Sequence, residues 1–334
     1  MEGERPVQRE AVIGHDRQIR VLGRALEHRT LFQTLLLAGP SGVGKGTLCV
    51  AVAAALQCEA PNPWACGSCR PCRKITRDLH PDVRYVAPSG TGRRPAIRVD
   101  QIREEILAPM SLPPHEGNRL IFLIDPAEAL NENAQNALLK ALEEPPQYAQ
   151  FLLVTHSPWG LLPTVRSRCQ RMDFSRLSPG EMDRFLDGKL SGEEQDRAAV
   201  LAWCAGKPGR LESFQASRYA DRRERLLTLL RGGSDPAALP DLLDAAGAVS
   251  REEAQEVWCE TAEFLRDAVR VSSGLAPRVH REHAPNLEEV ARNRGREGMA
   301  ALIGRLAETP SHLVRNANPR LLWEWVFASE AESP

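Results

Sequence analysis

The sequence predicts an α/β protein: a parallel sheet covered by helices on both faces, followed by an all-helical C-terminal part. Three observations predict it. Short apolar runs recur at 35–38, 119–125 and 151–156. Segments with helical apolar spacing lie between them. Beyond about residue 175 the strand-like runs stop and helical spacing takes over.

Taken in order, RQIRVLGRALEH (17–28) places Ile19, Val21, Leu22, Ala25 and Leu26 on an amphipathic helix. LLLA (35–38) is a buried strand ended by Gly39-Pro40, and 45–56 is a helix. RLIFLID (119–125) is a second buried strand. NENAQNALLKALEE (131–144) is a helix with Ala134, Ala137, Leu138, Ala141 and Leu142 on one face, stopped by Pro145 and Pro146. FLLVTH (151–156) is a third strand. Loops are expected at 231–240 and near 273–285. Domain boundaries are expected near 174 and 217, giving a core at 1–174, a small helical domain at 175–217 and an all-α domain at 218–334.

Between the first strand and its helix stands GPSGVGKGT (39–47). A glycine-rich turn there aims backbone N–H groups at a phosphate, and the helix N-terminus adds its positive end. Gly39, Gly42, Gly44 and Lys45 fit a phosphate-binding loop, with Lys45 reaching the terminal phosphates. The alternative is a chance glycine turn, which the strand before and the helix after disfavour. Mg²⁺ is normally held by a hydroxyl directly after the lysine and by an aspartate closing a neighbouring strand. Here Gly46 follows the lysine. Thr47 lies ~100° further round the helix and points away. Asp125 supplies the aspartate, but Pro126 stands where a water-orienting carboxylate is wanted. Glu128 is a displaced substitute or a solvated turn residue. With two parts missing, the site is expected to bind ATP and Mg²⁺ weakly or not at all, and to turn over poorly.

Cys58, Cys66, Cys69 and Cys72 lie in CEAPNPWACGSCRPC, spaced x7, x2, x2. Four thiolates so close together suit a closed, structural Zn²⁺ site. Free buried cysteines and an iron–sulfur cluster are the alternatives. The other four cysteines are scattered and expected in packing. The net charge of −1 announces no nucleic acid. No apolar run reaches the ~18 residues of a membrane helix, and MEGERPVQRE is no signal peptide, so a cytoplasmic protein without structural disulfides is expected.

The phosphate loop, the four-cysteine module within 57–80, HPDV (80–83), LIDPAEALNENAQNALLKALEEPP, TVRSRC (164–169) and GKPGRL (206–211) together resemble the clamp-loader subunits of bacterial DNA polymerase III. These are AAA+ proteins related to eukaryotic replication factor C. The glycine after the lysine resembles the delta-prime branch; the motor subunits, tau and gamma, keep the hydroxyl. The resemblance covers roughly 10–215 and is weaker over the C-terminal third. The x7 cysteine spacing departs from it by one residue. It implies an AAA+ P-loop core, a helical lid and a collar for oligomerisation. Its implied partners are the tau/gamma motor subunits and delta, the sliding clamp (beta), and primed DNA through the assembled ring, with no membrane. It implies that Arg168, in Ser167-Arg168-Cys169, is an arginine finger to a neighbour's ATP, and that Thr155 is the sensor at the end of the third strand. It turns Lys140 toward the central chamber. Arg210 is offset by one from the lid sensor and is expected on the surface.

Three functions are consistent with these residues. They are a non-catalytic clamp-loader subunit, an active AAA+ ATPase of the tau/gamma type, and a zinc-bearing nucleotide kinase. The kinase gives no role to Ser-Arg-Cys or to the long helical C-terminus.

Overall fold

Five strands form one all-parallel sheet in a computed structural model of the chain: β1 (Thr34–Ala38), β2 (Val83–Val86), β3 (Leu120–Ile124), β4 (Ala149–Thr155) and β5 (Gln170–Asp173). The order across the sheet is β2-β3-β4-β1-β5. The structure describes residues 5–89, 96–187, 189, 194–214, 224, 226–228, 230–231, 251–278, 280, 283–314 and 319–328. The expected boundary near 217 and nearly all of the expected loop at 231–240 lie outside them.

β1, β3 and β4 are buried along their whole length, as apolar strands covered on both faces must be. Phe122 and Phe151 are fully buried on adjacent strands and stack with ring centroids 5.1 Å apart. Burial of a side chain of this size is worth roughly 1.5–3 kcal/mol. The two edge strands escape the sequence pattern. β5 reads QRMD and is largely exposed; β2 reads VRYV and is covered only in part. Edge strands need no apolar run, because only one neighbour holds them.

The helices follow the expected segments closely. Asp16–Glu27, Lys45–Gln57 and Glu132–Glu143 are all α-helical. Asn131 caps the last of these by accepting the Ala134 N–H at 2.8 Å. Ser178 and Glu181 form a capping box at the start of helix Pro179–Leu186. Asp82 of the HPDV stretch is buried, and its carboxylate accepts the backbone N–H groups of His115, Glu116 and Gly117 at 2.6, 2.8 and 2.8 Å. It thereby fixes the turn that leads into β3.

Two compact units are present, Met1–Ser191 with Gly206–Glu212, and Gly192–Ala205 with Ser213–Pro334. The second is helical in its described residues, with Glu194–Cys204, Arg251–Ser272, Ala284–Val314 and Pro319–Ala328. Its core includes Leu230, Phe264, Leu265, Leu302 and Val326. The break expected near 273–285 falls between two of these helices. Buried Asp267 organises it by accepting the N–H groups of Arg278 (2.7 Å) and His280 (2.8 Å), and the His280 ring stacks on Phe264. No helix among the described residues is long and apolar enough to cross a membrane.

Candidate functional site

The chain passes from β1 to the far edge of the sheet, whereas β5 lies on the other side of β1. The strand order therefore reverses beside β1, and in open α/β sheets the crevice at the carboxyl ends of such strands is where ligands bind. Residues 39–44 occupy that place, and helix Lys45–Gln57 follows directly. Gly39 has φ +150°, and a Cβ there would stand 2.2 Å from the Phe174 carbonyl oxygen. Only glycine fits. His15 holds the loop from the other side: its Nε2 lies 2.9 Å from the Val43 carbonyl, and its ring meets Phe174 edge-on.

Lys45 is buried, and its amine donates to the carbonyls of Gly39 at 2.7 Å and Pro40 at 2.6 Å. Burial pushes that amine below its ordinary pKa, against the pull of Asp125 and Glu128. Burial likewise pushes the Asp125 carboxyl up, although Lys45 opposes it. The position after the lysine bears on metal binding. A Cβ on Gly46 would meet Oδ2 of Asp125 at 2.8 Å. The aspartate thus leans into the space that a hydroxyl-bearing side chain would need. Thr47 is half-buried one place further along the helix. These residues do not fit a nucleotide-bound Mg²⁺ in the usual manner.

Two expectations are corrected here. Glu128 is not a solvated turn residue. Its side chain is 12% exposed, and Oε1 accepts the His156 backbone N–H at 3.1 Å and pairs with the His156 ring. Burial would raise this carboxyl, but hydrogen bonds from His156 and Thr155 outweigh it and hold the pKa below the ordinary value. Glu128 is thus ionised and engaged by His156, and Thr155, fully buried at the end of β4, accepts the Ser157 N–H at 3.0 Å. Arg210 is not on the surface either. It is 9% exposed within the 3-10 turn Pro208–Ser213. The preceding glycines draw it in, because Gly209 N–H donates to the Gly42 carbonyl at 2.9 Å and the two backbones are in contact.

Lys45, Asp125, Glu128 and Thr155 are therefore brought together, whereas Arg168 belongs to another place. It follows the short helix Pro163–Arg166, donates from Nη1 to the Thr164 carbonyl at 3.0 Å and pairs through Nη2 with Glu143 at 3.1 Å. Sequence reasoning missed His15, His156 and Glu143. Each has its partner 25 or more residues away, and no local pattern announces them.

The four cysteines form a second site. Cys58 ends the helix that begins at Lys45, and Cys69 and Cys72 flank the start of helix Arg70–Thr76. Their four sulfurs all lie within 4.8 Å of one another, with Cys58 and Cys69 3.9 Å apart. Ligands about 2.3 Å from a tetrahedral ion stand ~3.8 Å apart, so the set can hold one metal ion. Backbone N–H groups of Ser68 and Cys69 pull the Cys66 thiol down to about 6, whereas burial pushes the thiols of Cys58 and Cys72 up in the metal-free cluster. Among the other cysteines, Cys49 and Cys204 are buried and Cys169 is half-buried, as expected of packing.

Residues 14–178 match the model of the family described as DNA polymerase III, delta subunit. The DNA polymerase III subunit delta' of Pseudomonas aeruginosa is 42% identical over 208 residues, 62% of this chain and 62% of that protein. Over its N-terminal half the chain is thus similar to subunits of DNA polymerase III. The delta' subunit of Escherichia coli is 29% identical over 81% of this chain and 79% of its own length. The tau subunit of Bacillus subtilis is 33% identical over 60% of this chain, but that stretch is 36% of tau. The chain thus spans 62% of the first of these relatives and about a third of the last. A DNA polymerase III gamma subunit-related protein from Thermotoga maritima superposes with a TM-score of 0.41 at 18% identity, covering 93% of this chain and 97% of that one.

Proposed function

We propose that this chain is a non-hydrolysing clamp-loader subunit, of the delta-prime kind, that helps assemble the ring placing a sliding clamp on primed DNA. The observation that carries the reading is the 2.8 Å approach of Asp125 to the Cβ position of Gly46. A loop built this way lacks the hydroxyl for Mg²⁺, and Pro126 cannot orient water. Glu128 supports it further, since its Oε1 is engaged by His156. In this reading Arg168 serves the ATP of an adjacent motor subunit (tau or gamma), where a guanidinium stabilises charge developing on the transferred phosphoryl group. Delta, beta and DNA are its remaining partners, and the cysteine cluster holds a structural zinc ion.

The first test concerns hydrolysis. Purified alone, the chain is expected to show negligible ATPase activity. Mixed with the motor and delta subunits of the same organism, it is expected to enter a ring of fixed stoichiometry that loads clamps. Turnover by the isolated chain at the rate of a motor subunit would establish the active-ATPase reading instead.

The second test concerns metal. Chain prepared without chelators is expected to carry about one zinc per molecule by elemental analysis, and Cys69→Ser to lose it. The sheet is expected to stay folded in that variant, because its core is made of β1, β3 and β4 and contains none of the four ligands. Metal-free wild-type protein, or an iron–sulfur absorption spectrum, would refute the zinc assignment.

A further inference from the structure

We propose that Glu143 is the positioning residue of Arg168: it holds the guanidinium in one orientation so that the remaining N–H groups of its two terminal nitrogens face a neighbour's anion. The inference rests on the trans-acting reading of Arg168 and adds a residue to it. Arg168 is only 30% exposed, and two of its N–H groups are engaged, one with Thr164 O and one with Glu143 Oε2. A guanidinium carries five such groups in a rigid fork, so fixing two fixes the direction of the rest.

The two residues stand on elements that are locked together. Glu143 is the last residue of helix Glu132–Glu143. Near the start of the same helix, buried Gln135 accepts the Leu162 N–H at 2.7 Å and donates to Leu130 O at 3.0 Å. Leu162 caps the short helix that leads to Arg168, and Val165 within that helix is fully buried. Cys169 closes the turn by donating to Val165 O. The spacing between Glu143 and Arg168 is thus set by packing.

Helix energetics do not account for a carboxylate at this position. A helix C-terminus carries partial negative charge, and an acid there is disfavoured. Such a local conflict is characteristic of a functional position. The pair is also suited to release as well as to aim. An ion pair this exposed is weak, so an arriving phosphate, with more charge, can displace the carboxylate while the Thr164 carbonyl keeps hold.

The experiment is a double-mutant cycle in rings reconstituted with the motor and delta subunits, measured as clamp- and DNA-stimulated ATP hydrolysis. Glu143→Ala is expected to lower kcat about three- to tenfold with an unchanged KM for ATP. In the Arg168→Ala background it is expected to change nothing further, since a residue acting through Arg168 has no effect once Arg168 is gone. Glu143→Gln, which keeps an acceptor oxygen at the same reach, is expected to retain most of the activity. Thermal melting and ring incorporation confirm that the variants compared are folded and present. Full activity in Glu143→Ala rings beside slowed Arg168→Ala rings overturns this inference and leaves the trans-acting reading intact. An equal loss in both backgrounds overturns it too, by placing Glu143's effect elsewhere. Full activity in Arg168→Ala rings removes the underlying reading, and the role of Glu143 with it.

Discussion

Rings reconstituted with Arg168→Ala are expected to assemble normally, yet to hydrolyse ATP and load clamps at least several-fold more slowly than unmodified rings. An arginine finger can supply roughly 10³-fold or more to one site's turnover. The loss read from the whole ring is smaller, because other sites keep their own arginines. Folding is expected to survive, since the side chain makes one exposed ion pair and one hydrogen bond to a local carbonyl. Together these are worth on the order of 1 kcal/mol. Arg168→Lys is the informative companion. It keeps the charge and loses the fork, so it is expected to behave much nearer to Ala than to Arg if geometry matters. The measurement is steady-state ATPase at equal ring occupancy, with clamp loading scored in parallel. Unchanged rates for both substitutions would reduce Arg168 to a surface residue.

Replacing Asp82 is expected to have the largest effect on stability. Its carboxylate accepts three backbone N–H groups at 2.6–2.8 Å, and the residue is fully buried. Asp82→Ala strands all three donors. Each buried donor left without an acceptor costs about 1–3 kcal/mol, so a loss of roughly 3–5 kcal/mol is expected after partial rescue by water. At about 2–4 °C per kcal/mol for a unit of this size, the melting temperature should fall by roughly 6–20 °C. The pH dependence is a sharper test. Burial alone would raise this carboxyl, but the three N–H groups outweigh it and hold its pKa below the ordinary 3.8. The ionised form is thus favoured by folding. Its contribution is complete above about pH 4 and is lost as pH falls through the lower folded-state value. Asp82→Asn is expected to be less stable than wild type at pH 7, and the gap is expected to close as the pH is lowered toward 3. A gap independent of pH would mean that the carboxylate's charge contributes nothing.

How much of this was legible in the sequence follows from where each signal lies. The three central strands announced themselves because burial on both faces demands continuous apolar runs. β2 and β5 did not, because an edge strand with one partner tolerates VRYV and QRMD. The phosphate loop and the cysteines were readable because each is a contiguous pattern with a chemical reason for its spacing. The burial of Glu128 and Arg210 was not readable. Each depends on a partner supplied from far along the chain, His156 for the first and the packing of Gly209 on Gly42 for the second. A sequence shows a residue's type and its neighbours in order; whether a charged side chain is solvated is decided by contacts made across the sheet.

The close fit of Gly39 against Phe174 and of Gly42 against Gly209 has a consequence for how such chains are read in genomes. Gly39 is required by backbone crowding and Gly42 is favoured by its φ of +75°, whether or not a phosphate ever arrives. A chain that does not hydrolyse nucleotide can therefore keep these two glycines, because backbone geometry alone favours them. The glycines record ancestry. The residue after the lysine is released from the metal, and its identity is the better guide to whether the ancestral chemistry is still performed.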